Sequence, residues 1–243
     1  ELKLAEFTGR ERALLFSTGY MANLAVTSAL MRRRDVIFQD KLNHASLIDA
    51  AKLSDAKFVR YRHNDTQQLA RLLQQQVVDP SIRRLIMADA VFSMDGDLAE
   101  VKALSALAAE SDSGLMLDDA HGFGVLGETG AGICEQQNLT QADVPILMAT
   151  LGKAVGVSGA FVAGSEALIE TLIQSSRSYI YTTASPPAQS AAILRSIEII
   201  QQQGWRRDKL NELIDYFKRQ ASRLGLDMMP SSTAIQPLLI GDN

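Results

Sequence analysis

Five short polar clusters in this sequence carry side chains able to do chemistry, and each follows a short apolar run. Ser17-Thr18-Gly19-Tyr20 offers hydroxyls and free amides ahead of a helix-like stretch from Met21, the composition of an anion site and equally of a serine-capped turn. Asp118-Asp119-Ala120-His121 sets two carboxylates and an imidazole at the end of an apolar run. A carboxylate buried there costs several kcal/mol unless it meets a cation, so one of the two calls for a positive partner such as a protonated ring nitrogen. Thr150-Leu151-Gly152-Lys153 places an amine among small residues, leaving room for a flat ligand. Desolvation or nearby positive charge there would lower the lysine pKa toward nucleophilic competence. Asn43-His44-Ala45-Ser46 adds a histidine and Phe92-Ser93-Met94-Asp95-Gly96-Asp97 a hydroxyl. Alone, each also fits a structural turn.

The elements that must position these groups alternate along the chain. Seven runs read as strands: 13–16, 36–38, 58–61, 85–88, 115–117, 146–149 and 160–163. Amphipathic stretches separate them, for example 66–76, with Leu69, Leu72 and Leu73 at helical spacing and Asn64 or Asp65 as the cap. This alternation predicts an α/β fold, a seven-stranded mostly parallel sheet with helices on both faces. In such sheets ligands bind beyond the carboxyl ends of the strands, where all five clusters fall. Two long helices follow, over 188–202 and 208–224, and then an extended piece at 235–240 with no visible partner. The division this suggests is a large domain over 1–203, with 204–243 holding a long helix and the start of a second, smaller domain.

Composition narrows the class of partner. The 243 residues are 47% hydrophobic and 21% charged, which fits a globular chain able to bury a core. Twenty-four basic against 28 acidic residues give a net charge of −4, so no electrostatic footprint for nucleic acid or an anionic membrane is present. The single cysteine, Cys134, points to a reducing compartment and so to the cytoplasm. The longest helix-like apolar stretch, 185–202, is interrupted by Gln189, Arg195 and Glu198, so no membrane span is expected. The start at Glu1-Leu2-Lys3, with no methionine and no signal sequence, reads as a chain already trimmed at the front.

Competing motifs fail on context. Gly122-Phe123-Gly124-Val125-Leu126-Gly127 matches a dinucleotide fingerprint, but Glu128-Thr129-Gly130-Ala131-Gly132 follows where a helix should open. Gly152-Lys153 resembles the end of a P-loop, yet Leu147 stands for its first glycine and Ala154 for its Ser/Thr. The three histidines and one cysteine lack metal-ligand spacing, so no metal is expected, and no nucleophile elbow is present.

A lysine, a carboxylate, histidines and a phosphate cradle are what pyridoxal 5'-phosphate requires. The five clusters, read as Ser17 to Asn23, Asn43 to Leu47, Phe92 to Asp97, Asp118 to Gly122 and Thr150 to Lys153, closely resemble the α-oxoamine synthases in content and order over nearly the whole chain. The resemblance implies the large domain of the pyridoxal-phosphate fold type I. It also implies that Lys153 carries the cofactor and moves protons at the substrate α-carbon, while Asp118 pairs with the pyridinium nitrogen. His44 would stack on one ring face, meeting the substrate, and Ala120 would pack on the other. Ser93 and His121 would bond near the phenolic oxygen, and Gly19, Tyr20 and Thr150 would hold the phosphate end. Tyr181-Thr182-Thr183-Ala184-Ser185-Pro186-Pro187 is shared widely in the family. Thr182 and Thr183 would reach the phosphate of a neighbouring subunit in a homodimer with shared sites. Ser232-Thr233-Ala234-Ile235-Gln236-Pro237-Leu238 is most similar to members that condense L-alanine with a pimeloyl thioester, on coenzyme A or a carrier protein, in biotin synthesis. The alternatives are a member condensing glycine with another acyl-CoA, and a cofactor-binding or dimerising remnant without turnover. The last follows from an expected C-terminal small domain, with an arginine for the amino-acid carboxylate, and an N-terminal closing segment that are not visible in the chain.

Overall fold

The computed structural model describes residues 1–76, 79 and 81–241. Seven strands form one sheet: β1 Arg12–Phe16, β2 Val36–Asp40, β3 Lys57–Tyr61, β4 Arg84–Asp89, β5 Gly114–Asp118, β6 Ile146–Thr150 and β7 Ala160–Gly164. Each contains the run expected from the sequence. The ladder continues one or two residues past the last apolar position in five of them, so that Asp40, Asp89, Asp118 and Thr150 end β2, β4, β5 and β6, and Gly164 ends β7. Among the described residues ten helices connect or flank the strands: α1 Leu2–Thr8, α2 Gly19–Leu30, α3 Ala45–Leu53, α4 Thr66–Gln74, α5 Val101–Glu110, α6 Ile133–Gln137, α7 Glu166–Ser175, α8 Arg177–Ile180, α9 Pro187–Gln202 and α10 Trp205–Arg223. Asp65 caps α4, its side chain accepting from the Gln68 amide.

The strand order is β1-β7-β6-β5-β4-β2-β3. β7 runs antiparallel to β1 and β6, and the remaining neighbours are parallel. From β2 the chain steps outward to β3, then crosses to β4 on the other side and continues to β5 and β6. That reversal opens a crevice at the carboxyl rim, the site that doubly wound sheets use for ligands. Alternate residues of each strand feed opposite cores, since side chains alternate across a pleated strand. In β4, Leu85 and Met87 pack with α2, α3 and α7, whereas Ile86 and Ala88 pack with α4 and α5.

A third cluster holds α1 and α9 against β1, β6 and β7. At its centre Phe123 lies edge-on to Phe7 at 5.6 Å and to Phe161 at 5.0 Å between ring centroids. Phe123 belongs to the glycine-rich loop, which stays irregular because Gly124, Gly127, Gly130 and Gly132 all take positive φ. No helix opens at the fingerprint-like sequence, and α6 begins only at Ile133.

The expected extended piece at 235–240 is not a strand. Its pairing reduces to one antiparallel bridge, Met228 to Leu238, beside bonds between Met229 and Pro237 and between Leu239 and Asp227. Pro237 has no amide to donate, which interrupts a ladder at that point. Among the described residues no helix is long and apolar enough to cross a membrane. Because Phe123 is fully enclosed and joins the loop to two other elements, Phe123→Ala should lower unfolding free energy by about 3–5 kcal/mol, read as a reduced urea midpoint at unchanged m.

Candidate active site

The carboxyl ends of β2, β4, β5 and β6 surround a cavity of about 220 Å³, lined by Gly19, Tyr20, His44, Ser46, Asp89, Ser93, Asp118, Ala120, His121, Met148, Thr150 and Lys153. All eight residues expected from the sequence to catalyse or hold a cofactor lie on this wall, as does Ala120. Thr182 and Thr183 do not. They are exposed and line a separate depression with Phe16, Ser17 and Tyr179.

Asp118 is the most constrained group. It is 4% exposed, its Oδ2 accepts from Asn23 Nδ2 at 2.9 Å, and its Oδ1 accepts from the Ala120 amide at 3.1 Å. Burial raises its pKa despite those bonds and the charges of Lys153 and His44. Asp89 sits beside it in register on β4, held well above the ordinary carboxylate range by burial and by the charge of Asp118. Two neighbouring buried carboxylates thus face a cavity and lack full compensation, which favours a cationic ligand group.

The cations and imidazoles are arranged around that deficit. Lys153 Nζ lies 2.7 Å from His121 Nε2. Burial lowers the lysine pKa, while Asp118 and Asp89 act against the shift. Burial, then the charges of Lys153 and His44, push His121 down to about 4, so at neutral pH its Nε2 is a free acceptor for the lysine. His44 caps α3, its Nδ1 accepting from the Ser46 amide at 3.2 Å, and its own amide donates to Asp89 Oδ2 at 2.6 Å.

At the opposite end, Thr18 caps α2 by accepting from the Met21 amide at 3.1 Å. The first helical residue, Gly19, is so close to β6 that a Cβ there would lie 2.8 Å from Thr150 Cγ2. Thr150 Oγ1 is buried and has no hydrogen-bond partner among the described residues. A helix start pressed against an unsatisfied hydroxyl is suited to an anion.

Asp89 and Met148 lie outside the sequence motifs, and Asn23 and Ser46 lie inside them without an assigned role. Ser46 accepts from Asn23 Nδ2 at 2.8 Å, so one amide holds both Asp118 and the start of α3. Asp89 follows the same strand-end rule as Asp118 and could have been found by it. Asn23 and Met148 lie in otherwise apolar runs without a local signal. Asp119 turns away from the cavity. Its Oδ2 accepts from the Ile133 amide at 2.8 Å, and a Cβ at Gly122 or Gly132 would collide with its oxygens, so its work is to fold the glycine-rich loop.

The fold and this rim of lysine, carboxylate and imidazole define a class, and the whole chain, residues 1–243, matches the family Aminotransferase class I and II, to which it belongs. Among curated relatives, it is 56% identical over 243 residues to the 8-amino-7-oxononanoate synthase of Stutzerimonas stutzeri and 54% identical to that of Saccharophagus degradans. All of the chain aligns in both cases, spanning 61% and 60% of those relatives' lengths. Among solved structures, a serine palmitoyltransferase from S. paucimobilis with a bound PLP–myriocin aldimine superposes with a TM-score of 0.93 at 29% identity, over 100% of this chain and 62% of that one. The 8-amino-7-oxononanoate synthase of Francisella tularensis gives 0.88 at 34% identity, over 100% and 70%.

The depressed histidine has a pH consequence. Below about 6.5 the unfolded chain binds a proton that folded His121 refuses, so its contribution to stability should fall as pH drops from 6.5 toward 4. Ring titration followed by NMR should show His121 neutral throughout the range from pH 5 to 8.

Proposed function

We propose that this chain is the pyridoxal-phosphate-binding core of an enzyme that condenses L-alanine with a pimeloyl thioester, releasing carbon dioxide and the carrier thiol to give 8-amino-7-oxononanoate. The observation that carries the reading is Asp118: a buried carboxylate, oriented by Asn23 and the Ala120 amide and in no salt bridge among the described residues, on one small cavity with an amine of lowered pKa. The residues fit the cofactor at each end, with the unpartnered Thr150 hydroxyl and the start of α2 for a phosphate and Asp118 for a protonated ring nitrogen. Bound pyridoxal phosphate supplies an electron sink for negative charge at the substrate α-carbon.

The chain's own groups do the rest. Asp118 keeps the proton on the ring nitrogen, because its buried negative charge is stabilised by that partner. His44 and Ala120, both on the cavity wall, would pack against the cofactor ring, and His44 would also meet the substrate. Ser93 and His121 bond the phenolic oxygen, and Gly19, Tyr20 and Thr150 hold the phosphate. Lys153, neutral more readily than a solvated lysine, removes and returns the proton at the amino-acid α-carbon.

Support for alanine and the pimeloyl thioester as substrates comes from the 8-amino-7-oxononanoate synthases of Stutzerimonas stutzeri and Saccharophagus degradans, each more than half identical to this chain, and from Gln236 before Pro237. The exposure of Thr182 and Thr183 outside their own cavity supports a homodimer in which each subunit completes its partner's phosphate site. A reducing cytoplasmic setting suits the lone buried Cys134.

With pyridoxal phosphate added, the protein should show a visible band that borohydride bleaches, and Lys153→Ala should retain no reducible band. A reducible band surviving in that variant would refute the assignment of the amine. Asp118→Asn should weaken cofactor affinity by at least about tenfold, the equivalent of one charge-assisted hydrogen bond worth ~1.5–3 kcal/mol. In turnover assays alanine with pimeloyl thioester should exceed glycine with acetyl-CoA, and the reverse ranking would overturn the substrate reading.

A further inference from the structure

His63 lies outside the cavity, yet it joins two of the segments that build it. Its Nδ1 is 3.1 Å from Asp40 Oδ1, and its Nε2 is 2.9 Å from Asp97 Oδ2. Ionised carboxylates only accept hydrogen bonds, so the ring has to donate from both nitrogens, and only the imidazolium carries two N–H groups. Its ring packs perpendicular to Phe92, with centroids 4.5 Å apart.

Each carboxylate anchors a different site segment. Asp40 ends β2, is 1% exposed, and also accepts from the Leu42 amide at 2.8 Å and the Asn64 amide at 2.7 Å. Those bonds set the turn that leads through Asn43 to His44. Asp97 closes the loop that carries Ser93: its carbonyl accepts from the Phe92 amide at 3.0 Å, and the Gly96 amide donates to the Phe92 carbonyl at 2.9 Å. The remaining support for the Asp97 carboxylate is Asn64 Nδ2 at 2.7 Å on the same oxygen, and its Oδ1 is buried without a partner among the described residues.

We propose that His63 is a positioning residue: as an imidazolium it clamps the His44 turn to the Ser93 loop, and loss of its proton opens the clamp. The effect on cofactor binding rests on the function proposed above, whereas the clamp itself does not.

The surroundings of the ring favour the charged state. Asp40 faces it from β2, and Asp97 and Asp95 from the Ser93 loop, with an Asp95 carboxylate oxygen within 4.8 Å of the ring and of Asp97. On its own segment Arg62 is paired with Asp65. Tyr61 is buried beside Asp40, which helps keep its hydroxyl protonated. Lys218 borders the hollow next to Asp97 with its ammonium bonded to the Ser231 carbonyl. Burial alone would lower the His63 pKa, but the bonds and charges of Asp40 and Asp97 outweigh it, and the net direction is upward from 6.5. The clamp is therefore fully present below pH 6.5 and is lost as pH rises through the higher folded value.

The test uses the whole chain, first without pyridoxal phosphate. Nitrogen-15 NMR of the wild-type ring should show both nitrogens protonated at pH 6.5 and a midpoint above it. Protection of the amides of residues 42–44 and 93–97 from hydrogen exchange should fall in a step at that midpoint, and His63→Gln should abolish the step. With pyridoxal phosphate, wild-type affinity should drop on the order of tenfold across the same midpoint, as expected for losing a charged hydrogen bond, while His63→Gln stays weak and flat. A ring titrating at or below about 6.5, or an exchange or affinity step that survives in His63→Gln, would overturn the clamp. Because the ring titration is measured on wild type, misfolding of the variant cannot rescue it. Failure to bind pyridoxal phosphate at any pH, with the ring and exchange steps intact, would instead sink the proposed function.

Discussion

The burial of Asp118 at the end of the central strand β5 is the constraint around which the rim is organised. A carboxylate taken out of water needs hydrogen bonds and a counter-charge. The protein supplies the bonds, through Asn23 and the Ala120 amide, and leaves the counter-charge incomplete. Asn23 reaches it only if α2 lies flat on the sheet, and the same amide bonds Ser46, so the starts of α2 and α3 are set together. Asp89, buried beside Asp118, accepts from the His44 amide and so fixes the backbone that carries the imidazole.

Convergence of the groups follows from strand direction. Parallel strands bring their polar carboxyl ends to one edge, and the reversal between β3 and β4 leaves space there that side chains do not fill. The antiparallel β7 lets β1 run parallel to β6, so Ser17 and Gly19 arrive beside Thr150 after one short turn. Glycine at position 19 is required by that approach, because any side chain would meet Thr150.

Support for the rim extends beyond the side chains that face the cavity. Asp119 fixes the glycine-rich loop by accepting from the Ile133 amide, and His63 joins the turn before His44 to the loop holding Ser93. Such outer groups bond to the backbone or to one another, and their influence on the site is transmitted by the loops they fix. Their contribution is positional: side chains at strand ends have short tethers, so a modest loop displacement moves them out of hydrogen-bond reach.

Much of this was legible in the linear sequence, because hydrophobic periodicity reports burial directly. All seven strands and the polar clusters after them could be read from apolar runs of three or four residues and the polar residues that stop them. The reading failed where local pattern and tertiary role diverge. Residues 235–240 have strand-like composition but no continuous partner edge, and Pro237 breaks the ladder. The apolar run of β4 ends at Ala88, one residue short of Asp89, and Asn23 sits in an apolar helix, so local pattern marks neither as a site residue. Sequence alone determined the fold class and which chemical groups reach the rim, since those depend on periodicity and residue type. Tertiary structure alone decided which carboxylate faces the cavity, with Asp118 inward and Asp119 outward, and which distant residues orient it. Asp118 ends β5 at the rim while Asp119, just past the strand, is drawn to the Ile133 amide of the glycine-rich loop, and partners separated by many residues meet only when the sheet has formed.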